Sequence, residues 1–455
     1  HSTNTDKQKE YKILENFPKY DHIKWPNFND DEKWEEFDLE VHNLLDNKGT
    51  LCSRLSLLEN SIYNTALNKF GKVSQPVSRT RVLCRRTKQI ISLVHTKNDL
   101  LSQLGLACSE VEYNSILSLL HCTRTKLRKL RKAENHFKRI SAKRSLEKAF
   151  KKNPYKCGKD ILSPPSTTYL KVSNKKLDEY LSESVSDNSK NIELGDLTDL
   201  PEPPFIKHKF KNSILNDKTF YNVLSRRSNS STPGPNAIPY KVYKKCPHLS
   251  RFLLLLIKGF FKKGVVPLQW RIAKTVFIPK VPNPDPSNMK DFRSISLMNS
   301  EGKIFWATVS SYIFKHVSID NNFINKSIQK GSMEGVPGCW EHMSMIWDVL
   351  KDARLSNRSV TSIWLDISNA YGSIPHKLIF LALRRYGIPE KWVKLIEAYY
   401  SGLWSKCFSE SSPSSWHQHE RGIFAGCTIS VILFLVGMNV IIEYVLATKF
   451  SNYVL

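Results

Sequence analysis

The residues best placed to do chemistry lie in Ile363-Trp-Leu-Asp-Ile-Ser-Asn-Ala-Tyr-Gly-Ser-Ile-Pro-His376, where one carboxylate, Asp366, ends a short apolar run and an aromatic, Tyr371, follows five positions later. Ile363, Trp364 and Leu365 read as a buried strand that delivers Asp366 to the rim of a sheet. A carboxylate in such a place is costly unless something cationic meets it. A hard metal such as magnesium would satisfy it; the plain alternative is an Asp that caps the turn into a helix over 377–386. No Asp follows Asp366, and the later acids Glu390, Glu397, Glu410, Glu420 and Glu443 stand singly. Glu390 opens a helix after Pro389 and Glu443 sits in an apolar helix, so both have structural explanations.

Other blocks must be placed beside this one. Downstream comes Arg421-Gly-Ile-Phe-Ala-Gly-Cys-Thr-Ile-Ser430. Upstream lie Phe277-Ile-Pro-Lys280, Asp291-Phe-Arg-Ser-Ile-Ser-Leu297, Thr232-Pro-Gly-Pro-Asn-Ala-Ile-Pro239 and Gln329-Lys-Gly-Ser-Met-Glu-Gly-Val-Pro-Gly-Cys-Trp-Glu-His342. In this order and spacing the blocks resemble the reverse transcriptases of non-LTR, LINE-like retrotransposons, over roughly residues 211–455. The Thr-Pro-Gly-Pro-Asn and Gly-Cys-Trp-Glu-His blocks favour this type over telomerase-like and group II intron-like polymerases.

The resemblance implies an α+β fold: right-hand polymerase fingers and an incomplete palm over 211–455, preceded by a mainly helical basic N-terminal region over 1–160 and a linker over 161–210. It implies an RNA-directed DNA polymerase whose partners are an RNA template, a DNA primer and deoxynucleoside triphosphates, with Mg2+ as cofactor. Asp366 matches the catalytic and metal-binding Asp of the first palm motif. Tyr371 resembles the aromatic that stacks under the sugar and excludes a 2′-OH. Lys280 and Arg293 resemble fingers cations on the incoming triphosphate, and Gly426 and Ser430 match the second palm motif, which tracks template and nucleotide.

Two-metal phosphoryl transfer needs at least two or three carboxylates in one small space. The family supplies an Asp pair from a later palm hairpin, and the sequence stops at Leu455 without one. The expectation is a chain that lacks turnover by itself, with a non-catalytic nucleic-acid-binding remnant of such an element as the alternative. Departures from the family pattern bear on the details. Ala425 stands for the usual Gln of the second palm motif, Thr428 and Val431 for its prolines, Gly372 for a frequent Asp after the aromatic, and Ser294 for the Pro after the fingers Arg.

Composition agrees. Lys and Arg number 68 against 42 Asp and Glu, a formal charge of +26 that calls for a polyanionic partner. The nine cysteines are scattered, with no pair at the two-residue spacing of a zinc ribbon, and read as free thiols in a reducing compartment. The N-terminal His-Ser-Thr-Asn-Thr has neither Met nor apolar signal core, so an intracellular, non-secreted fragment is expected. The apolar stretch 429–446 is interrupted by Ser430, Asn439 and Glu443 and reads as a buried helix rather than a membrane span.

Elements that would position these residues follow from periodicity. Leu51, Leu55, Leu58, Ile62, Ala66 and Phe70 recur at helical steps, with Gly71 as stop signal. From Thr123 to Lys156 an apolar ladder of Leu127, Leu130, Phe137 and Ile140 is surrounded by basic residues, among them Arg124, Arg128, Lys129, Arg131, Lys132, Lys138 and Arg139, opposed only by Glu134 and Glu147. A solvated helix face normally mixes signs, so phosphate-backbone contact is favoured. The Pro- and Ser-rich linker has no sustained period and predicts exposed chain. Beyond it the sequence predicts helices over 210–224, 249–263, 302–315 and 339–357, and strands over 275–278 and 292–297.

Overall fold

The computed structural model describes residues 4–18, 20–73, 85–107, 109–154, 157–158, 161, 168–190, 192–195, 197–211, 215–333, 336, 338–409 and 413–447. Cys84, Cys108, Lys156, residues 163–167, Glu410 and Leu455 lie outside them, as does part of the block 329–342. Two compact units are present, one of residues 1–73 with 168–455 and one of residues 74–167. The chain begins with α1 (Asn4–Glu15), α2 (Asp31–Leu44) and α3 (Leu51–Phe70). Thr50 caps α3 by accepting from the Ser53 amide at 3.1 Å, and Gly71 ends it at φ 71°.

Residues 74–167 are built on a helical pair, α4 (Arg85–Leu104) packed on α5 (Glu110–Lys152). At 43 residues, α5 is about 65 Å long at 1.5 Å per residue. Ser109 caps it by accepting from the Glu112 amide at 3.2 Å. Its packed stripe is Ile116, Leu120, Thr123 and Leu127. The expected apolar ladder does not hold beyond that point, since Phe137 is 62% and Ile140 38% exposed. Arg86 of α4 lies 6.0 Å from the centroid of the Phe137 ring, so the contact there is a cation on a largely exposed aromatic rather than a buried apolar pair.

In the larger unit the chain continues through α6 (Asn174–Val185), α7 (Asp217–Ser225), α8 (Tyr240–Lys245) and α9 (Pro247–Lys263) to β1 (Ile272–Pro279) and β2 (Phe292–Met298). Then come α10 (Ser300–Phe314), extended by a π-helical turn over Lys315–Asp320, α11 (Trp340–Leu355), α12 (Ala370–Ser373), α13 (His376–Arg385) and α14 (Glu390–Ser401). Last are β3 (Trp404–Phe408), β4 (Pro413–Gln418) and α15 (Ser430–Ala447). The four strands form one mixed sheet in the order β2-β1-β3-β4, with β1 parallel to β3 and the outer pairs antiparallel. The fold is α+β. A layer of aromatics joins the helices behind the sheet: Trp270 lies 5.0 Å from both Phe260 and Phe305, and Trp306 4.4 Å from Tyr399.

Three expectations need correction. Residues 1–73 do not fold with the basic region: Trp34, Phe37 and Val41 of α2 and Leu55, Leu58 and Ile62 of α3 share the core with Leu253 and Ile257 of α9. The linker contains α6, whose Leu177, Leu181 and Val185 are buried at a four-residue step, and whose Asp178 takes hydrogen bonds from the Ser415 amide and His417 of β4. The helix expected over 210–224 forms only from Asp217, because Asn216 caps it by accepting from the Thr219 amide at 2.8 Å.

α15 is long and apolar enough to cross a membrane by length and composition. In this fold Ile432, Leu433, Val436 and Val440 are buried, and Asn439 is held by Gln329, Tyr386 and Glu443.

Candidate active site

Asp366 sits outside any helix or strand, and Ile363, Trp364 and Leu365 beside it are 80%, 71% and 91% exposed. The predicted buried strand is therefore absent. An apolar run marks a segment that would be stable in a sheet centre, but the four strands here come from 272–298 and 404–418, and none runs alongside it. No group of three His, Cys, Asp or Glu suited to a metal occurs among the described residues.

After Asp366 the chain becomes ordered by contact. Asn369 takes a left-handed conformation, φ 50°, and starts α12. The Tyr371 carbonyl accepts from the Ile423 amide at 2.7 Å and the Ile374 carbonyl from the Gly422 amide at 3.0 Å. His376 Nε2 meets the Gly422 carbonyl at 2.7 Å, and burial lowers its pKa, so a neutral ring donates this bond. Gly422, at φ +77°, could not carry a side chain, because a Cβ would lie 2.7 Å from the Gly372 Cα and 2.5 Å from its carbonyl oxygen. The two blocks are thus laced backbone to backbone, which accounts for glycine at 422, while a Cβ at Gly372 would stand 2.1 Å from Asn369 Nδ2.

The second block is fastened equally closely to β2 and α10. The Ser296 amide donates to the Ala425 carbonyl at 2.8 Å, and Thr428 Oγ1 donates to the Lys303 carbonyl at 2.8 Å. Gly426 has φ +123°, and a Cβ there would stand 2.4 Å from the Ser296 carbonyl oxygen. Its glycine is required for approach to β2. Gly426 also lines an open cleft together with Tyr371.

Tyr371 is half-buried, its ring 5.0 Å from that of Phe434, and burial raises its pKa. It also borders a pocket walled by Tyr180 and Ser184 of α6, Phe277 and Ser294 of the sheet, and His419. Burial and the neighbouring His376 and His417 push His419 down to about 3. It is therefore neutral, 2.8 Å from Ser405 Oγ.

The remaining predicted residues separate. Arg293 is exposed on β2, two residues from Ile295 and so on the same face; Ile295 is the side chain nearest Gly426. Lys280 is exposed, and its Nζ donates to the Lys290 carbonyl at 3.0 Å, closing the loop between β1 and β2. Ser430, the first residue of α15, is fully buried and does not line the cleft, a correction to its expected nucleotide contact. Thr428 does line the cleft, with its Oγ1 engaged by the Lys303 carbonyl. α6 was missed as a pocket wall, although Ser173 as N-cap followed by Leu177, Leu181 and Val185 was a readable helix signal.

In the helical unit Arg124, Arg128, Lys129, Arg131, Lys132, Lys138 and Arg139 are all exposed on α5. Arg124, Arg128, Arg131 and Lys138, at steps of four, three and seven, share one side of the helix. Glu134 is engaged by Lys138 at 3.6 Å and Arg86 at 3.8 Å, so the stripe keeps most of its positive charge.

Residues 278–454 match the reverse transcriptase (RNA-dependent DNA polymerase) family. The chain is 29% identical over 215 residues to a retrovirus-related Pol polyprotein from a type-2 retrotransposable element of Drosophila melanogaster, covering 47% of this chain and 19% of that protein. It is 24% identical over 181 residues to the corresponding polyprotein from a type-1 element of Nasonia vitripennis, 40% of this chain and 17% of the relative. A transposon-encoded uncharacterized 149 kDa protein of Xenopus laevis is 25% identical over 186 residues, 39% of this chain and 13% of the relative. The chain therefore carries a reverse transcriptase region. That region is of the non-LTR retrotransposon type.

Proposed function

We propose that the larger unit binds an RNA template, a DNA primer and a deoxynucleoside triphosphate at the junction of the two laced blocks, as the fingers and part of the palm of a right-hand polymerase. The observation that carries this is the lacing itself: the segment after Asp366 and the segment 421–428 fix one another and are tied to β2. Tyr371 borders the cleft and serves as the sugar gate. Arg293 lies on the β2 face that meets Gly426 and takes the triphosphate, where a guanidinium can bind bidentately. Lys280 spends its ammonium on a carbonyl and acts at longer range.

A pair of divalent ions would activate the primer hydroxyl and hold the leaving group. Asp366 alone does not fit such a pair, which needs several carboxylates in one space. We therefore assign Asp366 as one ligand of an incomplete set, and residues 1–455 as a nucleic-acid-binding, non-extending form of the polymerase region. The test is extension of a DNA primer on an RNA template with Mg2+ by this chain and by Asp366→Asn. The expected result is template-dependent retention of the nucleotide without extension. Extension abolished by Asp366→Asn would overturn the non-extending assignment alone; extension indifferent to it would remove Asp366 from the site.

A further inference from the structure

A second open cavity, outside the laced blocks, lies between α1, α3 and the short turn over 268–270 that leads into β1. Its volume is about 570 Å³, within the range that small ligands occupy. Ile13, Phe17 and Tyr20 give it an apolar wall, and Ser56, Glu59, Asn60 and Gln269 a polar one. Glu59 is the single carboxylate that lines it among the described residues, and it is only 4% exposed. Lys12, exposed on α1, is the single cation lining it and has no ion pair among the described residues.

Hydrogen bonding around the cavity leaves acceptors without donors. Gln269 Nε2 donates to Ser56 Oγ at 3.0 Å, and the Tyr20 hydroxyl to Asn60 Oδ1 at 3.4 Å. Glu59 Oε1 accepts from Asn236 Nδ2 at 3.0 Å, while no donor reaches Glu59 Oε2 or Gln269 Oε1 among the described residues. A carboxyl oxygen buried in this way is costly, and a hydrogen-bonding cation beside it removes the cost. A primary ammonium brings three donors, no acceptor and one positive charge. The apolar wall would cover its alkyl stem, as apolar surface covers the stem of a lysine. Lys12 repels a second charge, so a monoamine fits better than a diamine. The titratable groups that face Glu59 are Glu301 of α10, Tyr243 of α8, and Tyr20 and Tyr63. Burial pushes Tyr20 up to about 12 and raises Tyr243 further. Glu301 is satisfied by Tyr243 and Asn236, so Glu59 is the acid that meets the cavity with an oxygen to offer.

We propose that this cavity binds a primary alkylammonium group, with Glu59 as its counterion, Gln269 as a second acceptor, and Ile13, Phe17 and Tyr20 around the stem. Burial raises the Glu59 carboxyl, so an arriving ammonium displaces the carboxyl proton to solvent and forms an ion pair with the carboxylate that is left. A free alkylamine and a protein lysine share this chemistry, and the probes below separate them. The site is independent of the polymerase assignment, since no residue of the laced blocks lines it.

The experiment is calorimetric titration of the intact chain, in amine-free buffers of differing ionisation enthalpy, with n-butylamine, Nα-acetyl-lysine methylamide and 1-butanol. The amine should bind at one site and release protons to the buffer, with an affinity that rises about tenfold per pH unit while Glu59 remains protonated and levels off once it ionises. Butanol, with the same stem and no charge, should not bind. Glu59→Gln should weaken amine binding by about tenfold or more and abolish the pH dependence. Should that variant fail to fold, Gln269→Leu leaves the buried acids in place and should weaken binding severalfold with the pH dependence intact. Binding of butylamine alone assigns a free amine, and binding of the blocked lysine as well assigns a lysine side chain. The proposal is overturned by no binding to the parent, by equal binding of butanol, by binding without pH dependence, or by equal affinity in parent and Glu59→Gln. Amine binding that appears only in Lys12→Gln also overturns it, because the ammonium of Lys12 would then be the occupant.

Discussion

Gly422 and Gly372 set the distance between the two blocks at the site, and a Cβ at Gly422 would meet backbone atoms that have no room to yield. Gly422→Ala should therefore cost about 2–3 kcal/mol in urea denaturation, from a disfavoured φ and a forced separation of the two segments; a cost below ~0.5 kcal/mol would mean that the lacing is slack. Tyr371 belongs to the same scale. In an extension-competent chain containing this region, Tyr371→Val should raise ribonucleotide incorporation relative to deoxyribonucleotide, and an unchanged ratio would remove the gate. The resemblance singled out Tyr371 and Gly426 separately, and the fold brings both to one cleft. They could not reveal that Ser430 faces inward, because the sequence does not show which side of the first turn of α15 meets α13 and the core.

At the scale of elements, the helices with a clear period were legible: the stripe from Leu51 to Phe70 forms α3 and Gly71 ends it, with Thr50 as the cap the structure adds. β1 and β2 also appeared where their β-branched and aromatic residues predict them. The run 363–365 was not legible, because apolarity states what a segment needs and not what the rest of the chain provides. α6 was hidden by the surrounding prolines and serines, though Leu181 is buried at its centre. Leu181→Ala should destabilise the larger unit by about 2–4 kcal/mol, whereas a true linker residue would change nothing measurable. For α5, Arg128→Glu with Lys132→Glu should weaken RNA binding and flatten its salt dependence. Equal slopes for variant and parent would reduce the basic stripe to a solvated face.

Across the whole molecule, the N-terminal helices are joined to the polymerase region through buried acids. Asn236, in the Thr-Pro-Gly-Pro-Asn block, donates from Nδ2 at 3.0 Å to both Glu59 of α3 and Glu301 of α10. Burial raises both carboxyls, and Glu59 furthest, since Glu301 also receives the Tyr243 hydroxyl. A carboxyl with a raised folded pKa binds protons that the unfolded chain has released. Stability therefore falls as pH rises above the ordinary carboxylate range, until the folded group ionises. Glu59→Gln keeps the Asn236 bond and carries no charge, so it should flatten the decline of stability between pH 5 and 9 and be the more stable form at the alkaline end. A parallel decline in parent and variant would show that Glu59 stays ionised. No sequence pattern pointed to this link, because Glu59 and Glu301 are ordinary helical glutamates until the fold closes around them.

The central claim is that nucleotide and primer-template meet where the 366–376 and 421–428 segments interlock. The most direct test is photolabelling of the intact chain by a 4-thio-deoxynucleoside triphosphate in the presence of an RNA template and DNA primer, followed by peptide mapping. Label within 366–376 or 421–428 that requires the matching template base is the predicted result. Label confined to α5, or independent of the template base, would contradict it.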